Sequence, residues 1–228
     1  MIGIIGAMDV EVESLLALVN GKEIRTVSGI KFTKGKLYGK DVVIAKCGCG
    51  KVNSALCCEA MILTYHPDLI INTGVSGSLT EKLGVCDIAI ADDVCQHDFD
   101  TSPIGDPYGM ISDVNLIKIP ADKKARNLFA EITEELGINY MTGTIASGDI
   151  FVSKADTKKS ITSYFGAISC EMEGGSIGHV CYLNETPFAV LRAISDNAND
   201  DSPMDFPTFV KKAAEQSIGI LCKFIQRI

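Results

Sequence analysis

The chain has 228 residues, 46% hydrophobic and 22% charged, a balance that fits a folded domain of ordinary size with a full core and gives no reason to expect disorder. Its formal net charge of −8, with no contiguous basic stripe, argues against a nucleic-acid partner. Met1-Ile2-Gly3-Ile4-Ile5-Gly6 is apolar at once, lacks a basic leader and turns acidic by Asp9, unlike a signal peptide, and no uncharged apolar run approaches the roughly 20 residues that span a bilayer. The expectation is a soluble cytoplasmic protein without membrane contact.

Nine cysteines, an odd number, fit a reducing compartment. Cys47 and Cys49 are separated by one residue and Cys57 and Cys58 are adjacent, so the paired C-x-x-C spacing of a zinc site never appears. They are expected as small buried apolar residues, and no metal is expected.

In chain order, Ile2 to Gly6 reads as a strand and Glu11 to Val19 as a helix, with Val12, Leu15, Leu16 and Val19 at helical spacing. Three β-like runs between Ile24 and Cys47, broken at Ser28-Gly29 and Tyr38-Gly39-Lys40, imply an antiparallel meander. Val52 to Tyr65 reads as a helix, Asp68 to Thr73 as a buried strand, Cys86 to Val94 as a strand, and Asp98 to Met110 as a long loop of the kind that binds a ligand or a partner. A helix at Asp122 to Leu136, a strand at Tyr140 to Ala146, a short strand at Ile168 to Cys170 and a helix at Glu173 to Leu183 follow. Pro187 to Ile194 is a strand, the cluster Ser195 to Asp201 a turn, and Pro207 to Ile228 an amphipathic helix. The alternation of strands and helices without linker or repeat predicts one domain over residues 1–228, a three-layer α/β/α fold whose meander makes the central sheet mixed.

Five segments invite a chemical reading. Gly3-Ile4-Ile5-Gly6 lacks the G-x-G-x-x-G spacing of a dinucleotide site, and Gly48-Cys49-Gly50-Lys51 has the wrong length for a P-loop, so no organic cofactor is expected. Asn72-Thr73-Gly74-Val75-Ser76-Gly77-Ser78 follows a strand and is small enough for backbone to lie against a ligand, or is a plain tight turn. Glu171-Met172-Glu173 sets two carboxylates where a strand becomes a helix. One could accept from the adjacent hydroxyls of a sugar, or both could serve the helix macrodipole. Ser195-Asp196 ends the penultimate apolar run, where ligands of α/β sheets gather, although Asp also caps turns and helices.

Taken together, Gly6-Ala7-Met8-Asp9-Val10-Glu11, Asn72-Thr73-Gly74, Ser147-Gly148-Asp149-Ile150-Phe151-Val152, Glu171-Met172-Glu173 and Arg192-Ala193-Ile194-Ser195-Asp196 resemble the 5′-methylthioadenosine/S-adenosylhomocysteine nucleosidases of the nucleoside phosphorylase superfamily. The motifs lie in the family's order along the whole chain. The resemblance implies a nucleoside phosphorylase-like fold and hydrolysis of the bond between adenine and the ribosyl carbon, with adenine nucleosides as the small-molecule partners. It implies Asp196 as the acid that bonds the exocyclic amine and protonates N7 of adenine, with Ser195 orienting it, and Glu11 as the carboxylate that activates water. It also implies Glu173 on the ribose hydroxyls, Met172 along the sugar, Phe151 stacked on adenine, the backbone of Val152 reading the base, and Arg192 near the attacking water. Met8 and Phe206 correspond to the lining of the alkylthio end, and Ser76 joins the substrate-binding set.

This chain has Val75 and Ser76 where the family often shows serine and alanine, Cys49 for a common isoleucine, and Thr101 and Ile104 for a valine and a phenylalanine. In the family the 98–110 loop reaches a neighbouring subunit's site, which implies a homodimer. Two alternatives stay open: hydrolysis of an aminodeoxyfutalosine-type nucleoside in a larger 5′ pocket, and phosphorolysis. Phosphate needs several cationic or amide donors, and the early glycine-rich segment offers Asp9 and Glu11 instead.

Overall fold

Side chains alternate between the two faces of a strand, and the central strands here carry apolar residues on both, which forces helices onto each side. The computed structural model describes residues 1–198 and 202–228. Its elements are β1 (Ile2–Gly6), α1 (Asp9–Leu18), β2 (Asn20–Val27), β3 (Ile30–Leu37), β4 (Lys40–Lys46), α2 (Lys51–Tyr65), β5 (Leu69–Ser78), β6 (Ile88–Gln96), β7 (Ile119–Pro120), α3 (Lys123–Glu135), β8 (Tyr140–Ser147), α4 (Ala155–Phe165), β9 (Ser169–Glu171), α5 (Gly174–Leu183), β10 (Phe188–Asp196) and α6 (Ser202–Arg227). Ile4, Val42, Ile44, Ile71 and Leu191 share one core with the apolar faces of α1, α3 and α6. Their strand neighbours Ile5, Val43, Ala45, Ile70 and Val190 share the other with α2 and α5. The result is the expected α/β/α layering around a mixed sheet. No helix among the described residues is long and apolar enough to cross a membrane.

The sheet also closes on itself. β5 pairs with β9 and β10, β10 with β6, β6 with β8, and β8 with β9, while β1, β4, β3 and β2 extend outward from β5. Register sets Gly77 beside both Cys170 and Asp196, and Ser147 beside Glu171, so four strand tips meet at one mouth. Between Ile194 and Asp196 the register with β5 shifts by a bulge at Ser195. A bulge re-aims the residues around it, and here it lets consecutive side chains reach the same mouth.

Several boundaries differ from expectation. β5 runs on to Ser78 and β10 to Asp196, because both flanks of each segment find strand partners; the glycine-rich stretch is therefore strand and not turn. Asn197 and Ala198 follow β10, and Asn199 to Asp201 of the expected turn lie outside the described residues. α4 was not expected: it buries only Ile161 and Phe165, too sparse a stripe to read from periodicity, and it stops at Gly166 with φ 61°. α6 begins five residues before Pro207 and carries that proline inside it. Seven cysteines are buried as expected, but Cys86 is half-buried and Cys49 is exposed.

Candidate active site

The meeting strand tips and the first turn of α1 enclose a cavity of about 260 Å³. Every residue expected at the site except Arg192 lines it: Met8 and Glu11 at the start of α1, Ser76 on β5, Phe151 and Val152 after β8, Met172 and Glu173 after β9, Ser195 and Asp196 on β10, and Phe206 on α6. Phe151 and Phe206 meet edge to face at 5.5 Å, forming an aromatic wall.

Glu11 turns back from the third position of α1, where a glutamate reaches the amides preceding its helix. Its Oε2 accepts from the N–H groups of Ala7 at 2.7 Å and Met8 at 2.9 Å, and its Oε1 from Val75 N–H at 3.1 Å. Burial pushes its pKa up, against the pull of Arg192 and these three amides. The contact with β5 requires a residue without a side chain at position 74. A Cβ on Gly74 would overlap both Glu11 Oε1 and Arg192 Nη1.

The two carboxylates of Glu171-Met172-Glu173 divide their work. Glu171, the last residue of β9, accepts from the N–H groups of Glu173 at 3.0 Å and Gly174 at 2.8 Å, serving the unpaired amides at the start of α5. It also accepts from Ser147 Oγ and from Arg192 Nη2. Glu173 precedes the helix, accepts from Gly50 N–H at 3.0 Å and lies 3.4 Å from Arg192 Nη2. The helix-start reading holds for Glu171, while Glu173 lines the cavity.

Arg192 is fully buried beneath the cavity and does not line it. Its Nη2 donates to Asn72 Oδ1, Glu171 and Glu173, and its Nη1 lies 4.0 Å from Glu11 Oε1 without a hydrogen-bond acceptor. Burial works against its charge, but Glu171, Glu173 and Glu11 outweigh burial and raise its pKa. One guanidinium cannot neutralise three buried carboxylates. Burial first, and the charge of Glu171 next, push Glu173 up to about 7.

Asp196 is buried, accepting from Ser195 Oγ at 2.9 Å on Oδ2 and from Ala198 N–H at 2.9 Å on Oδ1. Ser195 Oγ also lies 3.4 Å from Ser76 O. Ser76 Oγ is buried at the cavity without a hydrogen-bond partner among the described residues. Ala7, Cys49, Val75, Gly77, Ile150, Cys170 and Glu171 complete the lining among the described residues. Of the supporting residues, Asn72 and Ser147 stand inside quoted motifs, yet nothing in one sequence says that they hold Arg192 and Glu171 from beneath.

A closed mixed sheet whose tips present an acid, a sugar-sized set of carboxylates and an aromatic wall defines a member of the phosphorylase superfamily, whose sequence model matches residues 1–226. A 5′-methylthioadenosine/S-adenosylhomocysteine nucleosidase of Shewanella sp. (strain MR-7) is 36% identical over 228 residues, covering 100% of this chain and 97% of its own length. The nucleosidase of that name from Neisseria meningitidis, crystallised with methylthio-immucillin-A, superimposes with a TM-score of 0.96 at 29% identity, covering 100% of this chain and 99% of that one. The native futalosine hydrolase of Helicobacter pylori strain 26695 superimposes with a TM-score of 0.95 at 36% identity, covering 100% and 97%. Within the superfamily, the chain belongs to the 5′-methylthioadenosine/S-adenosylhomocysteine nucleosidase family.

The raised pKa of Glu173 gives a stability prediction. Its folded value of about 7 exceeds the ordinary 4.5, so between these the folded state keeps a proton that the unfolded state releases. The stabilisation is complete below about 4.5 and lost as pH rises through about 7. Melting temperature therefore falls more steeply across this window in the native protein than in Glu173→Gln. Parallel curves would contradict the assignment.

Proposed function

We propose that this chain hydrolyses the N-glycosidic bond of 5′-methylthioadenosine and S-adenosylhomocysteine in the cytoplasm, releasing adenine and the 5-thioribose product, with 5′-deoxyadenosine as a further substrate. The observation that carries the reading is the meeting of Glu11 and Asp196 in one aromatic-walled cavity. Cleaving this bond builds positive charge on the sugar and negative charge on the departing base, so a proton must reach the purine while water attacks the ribosyl carbon.

Asp196 delivers the proton to N7 and bonds the exocyclic amine, oriented by the hydroxyl of Ser195. Glu11 takes the proton from water. Burial raises its basicity, and a base with pKa moved toward neutrality is more effective near pH 7. Arg192 fixes the carboxylates around that water from beneath. Glu173 accepts from the ribose hydroxyls, Met172 lies along the sugar, Phe151 covers the base, and the backbone of Val152 reads its edge. Met8 and Phe206 line the alkylthio end. Ser76 Oγ, buried without a hydrogen-bond partner among the described residues, offers the ligand one more polar contact.

Water is favoured over phosphate as the nucleophile because no lysine or arginine is among the described residues lining the cavity, and Arg192 is committed to carboxylates. Hydrolysis of an aminodeoxyfutalosine-type nucleoside is the second reading, favoured by the likeness to the futalosine hydrolase. It uses the same carboxylates and differs at the 5′ end, where Cys49 is exposed.

We further propose that residues 1–228 act as one domain and that two copies pair. Val52, Leu56 and Leu63 are exposed along one face of α2, and Ile104 is exposed in the 98–110 loop. Lys51 at the start of α2 holds Asp98 of that loop at 2.6 Å, which ties the loop to the helix, and exposed apolar residues on both suit contact with a second copy.

Adenine release from 5′-methylthioadenosine, followed chromatographically, is expected to fall about 100- to 10,000-fold in kcat in both Glu11→Gln and Asp196→Asn, the range of a lost general acid or base. Native rates in either variant would remove its role. Sedimentation of the native chain is expected to give twice the chain mass, and a monomer carrying full activity would contradict the pairing.

A further inference from the structure

We propose that Lys158 is a positioning residue for Asp196, acting through a single peptide group. This rests on the reading of Asp196 as the proton donor.

Lys158 projects from α4 and donates from Nζ to the carbonyl oxygen of Asn197 at 2.7 Å. The N–H of that same peptide unit, on Ala198, donates to Asp196 Oδ1 at 2.9 Å. The order is therefore ammonium, carbonyl, amide, carboxylate. A cation on the carbonyl end of a peptide draws electron density toward oxygen and strengthens the N–H as a donor, so hydrogen bonds in such a chain reinforce one another. The ammonium thus acts on the carboxylate without touching it.

The peptide needs holding. Ala198 sits at φ 50°, a left-handed conformation that a residue with a side chain rarely adopts. Two restraints keep it there. Its methyl is fully buried in the small cluster that includes Leu79 and Cys170, and Lys158 fixes the carbonyl that precedes it. Without the ammonium only the buried methyl restrains the Asn197–Ala198 peptide, and its carbonyl can turn so that the Ala198 N–H is no longer held on Asp196 Oδ1. The other oxygen of Asp196 keeps Ser195, so the carboxylate stays in the site but loses its fixed direction. Such a defect affects proton delivery more than substrate binding.

The experiment measures kcat and KM for adenine release in the native chain, Lys158→Met, Lys158→Arg, Asp196→Asn and the Lys158→Met/Asp196→Asn double variant. Lys158 is half-buried on a surface helix, and methionine keeps most of its stem, so the fold is retained. The expected result is a loss of about tenfold in kcat for Lys158→Met with KM within about twofold, the loss of one charge-assisted hydrogen bond at the reacting group. Lys158→Arg, which keeps charge and donor, recovers most of it. In the Asp196→Asn background the methionine costs little more, because residues acting in one chain are not additive. Native kcat in Lys158→Met beside a disabled Asp196→Asn would overturn this inference alone. A rise in KM without change in kcat, or no recovery with arginine, would also overturn it. Native turnover in Asp196→Asn would instead overturn the reading of Asp196 on which it rests.

Discussion

The buried guanidinium of Arg192 is the point on which the site depends. An ion taken out of water is tolerated only when paired and hydrogen-bonded, and removing one partner of a buried pair costs about 3–5 kcal/mol. Arg192 meets that condition with Asn72 from β5, Glu171 from β9 and Glu173 from the start of α5. It thereby ties β10 to two stretches that lie far apart in the chain, β5 and the β9–α5 junction. Glu11 comes from α1, held by the amides of Ala7 and Met8 between β1 and α1 and of Val75 on β5, with its nearer oxygen 4.0 Å from the guanidinium. Burial makes Glu11 hold its proton more tightly than a free side chain does, against the pull of Arg192, and burial first and the charge of Glu171 next do the same for Glu173.

Around that cation the fold supplies geometry. Closing β5, β9, β8, β6 and β10 into a ring brings strand tips to one mouth, and the bulge at Ser195 turns two consecutive polar residues toward it. Gly74 has no side chain because its backbone passes against Glu11 and Arg192 together. The reacting groups thus stand on strand ends and helix starts and not on free loops, an arrangement that preorganises them before substrate arrives.

Much of this was legible in the sequence. Alternating apolar residues such as Ile4 and Ile5 or Val42 and Val43 announced a sheet covered on both faces, and the residues lining the cavity stand in motifs that could be read in order. Three things were not legible, each for a physical reason. Closure of the sheet depends on long-range pairing between β10 and β5, which no local pattern encodes. α4 is anchored by only Ile161 and Phe165, too few to set a helical period. The place of Arg192 under the cavity, and not in its wall, follows from partners contributed by two distant segments, Asn72 on β5 and the Glu171-Met172-Glu173 stretch; its strand position alone says only that it is near.

The proposed function has water, and not phosphate, attack the ribosyl carbon in a cavity with no lysine or arginine among the described residues that line it. The most direct test is product analysis of 5′-methylthioadenosine turnover in phosphate buffer by phosphorus NMR. Free adenine is expected beside an unphosphorylated sugar, at a rate that does not change when phosphate is withdrawn. A sugar 1-phosphate, formed only while phosphate is present, would contradict it.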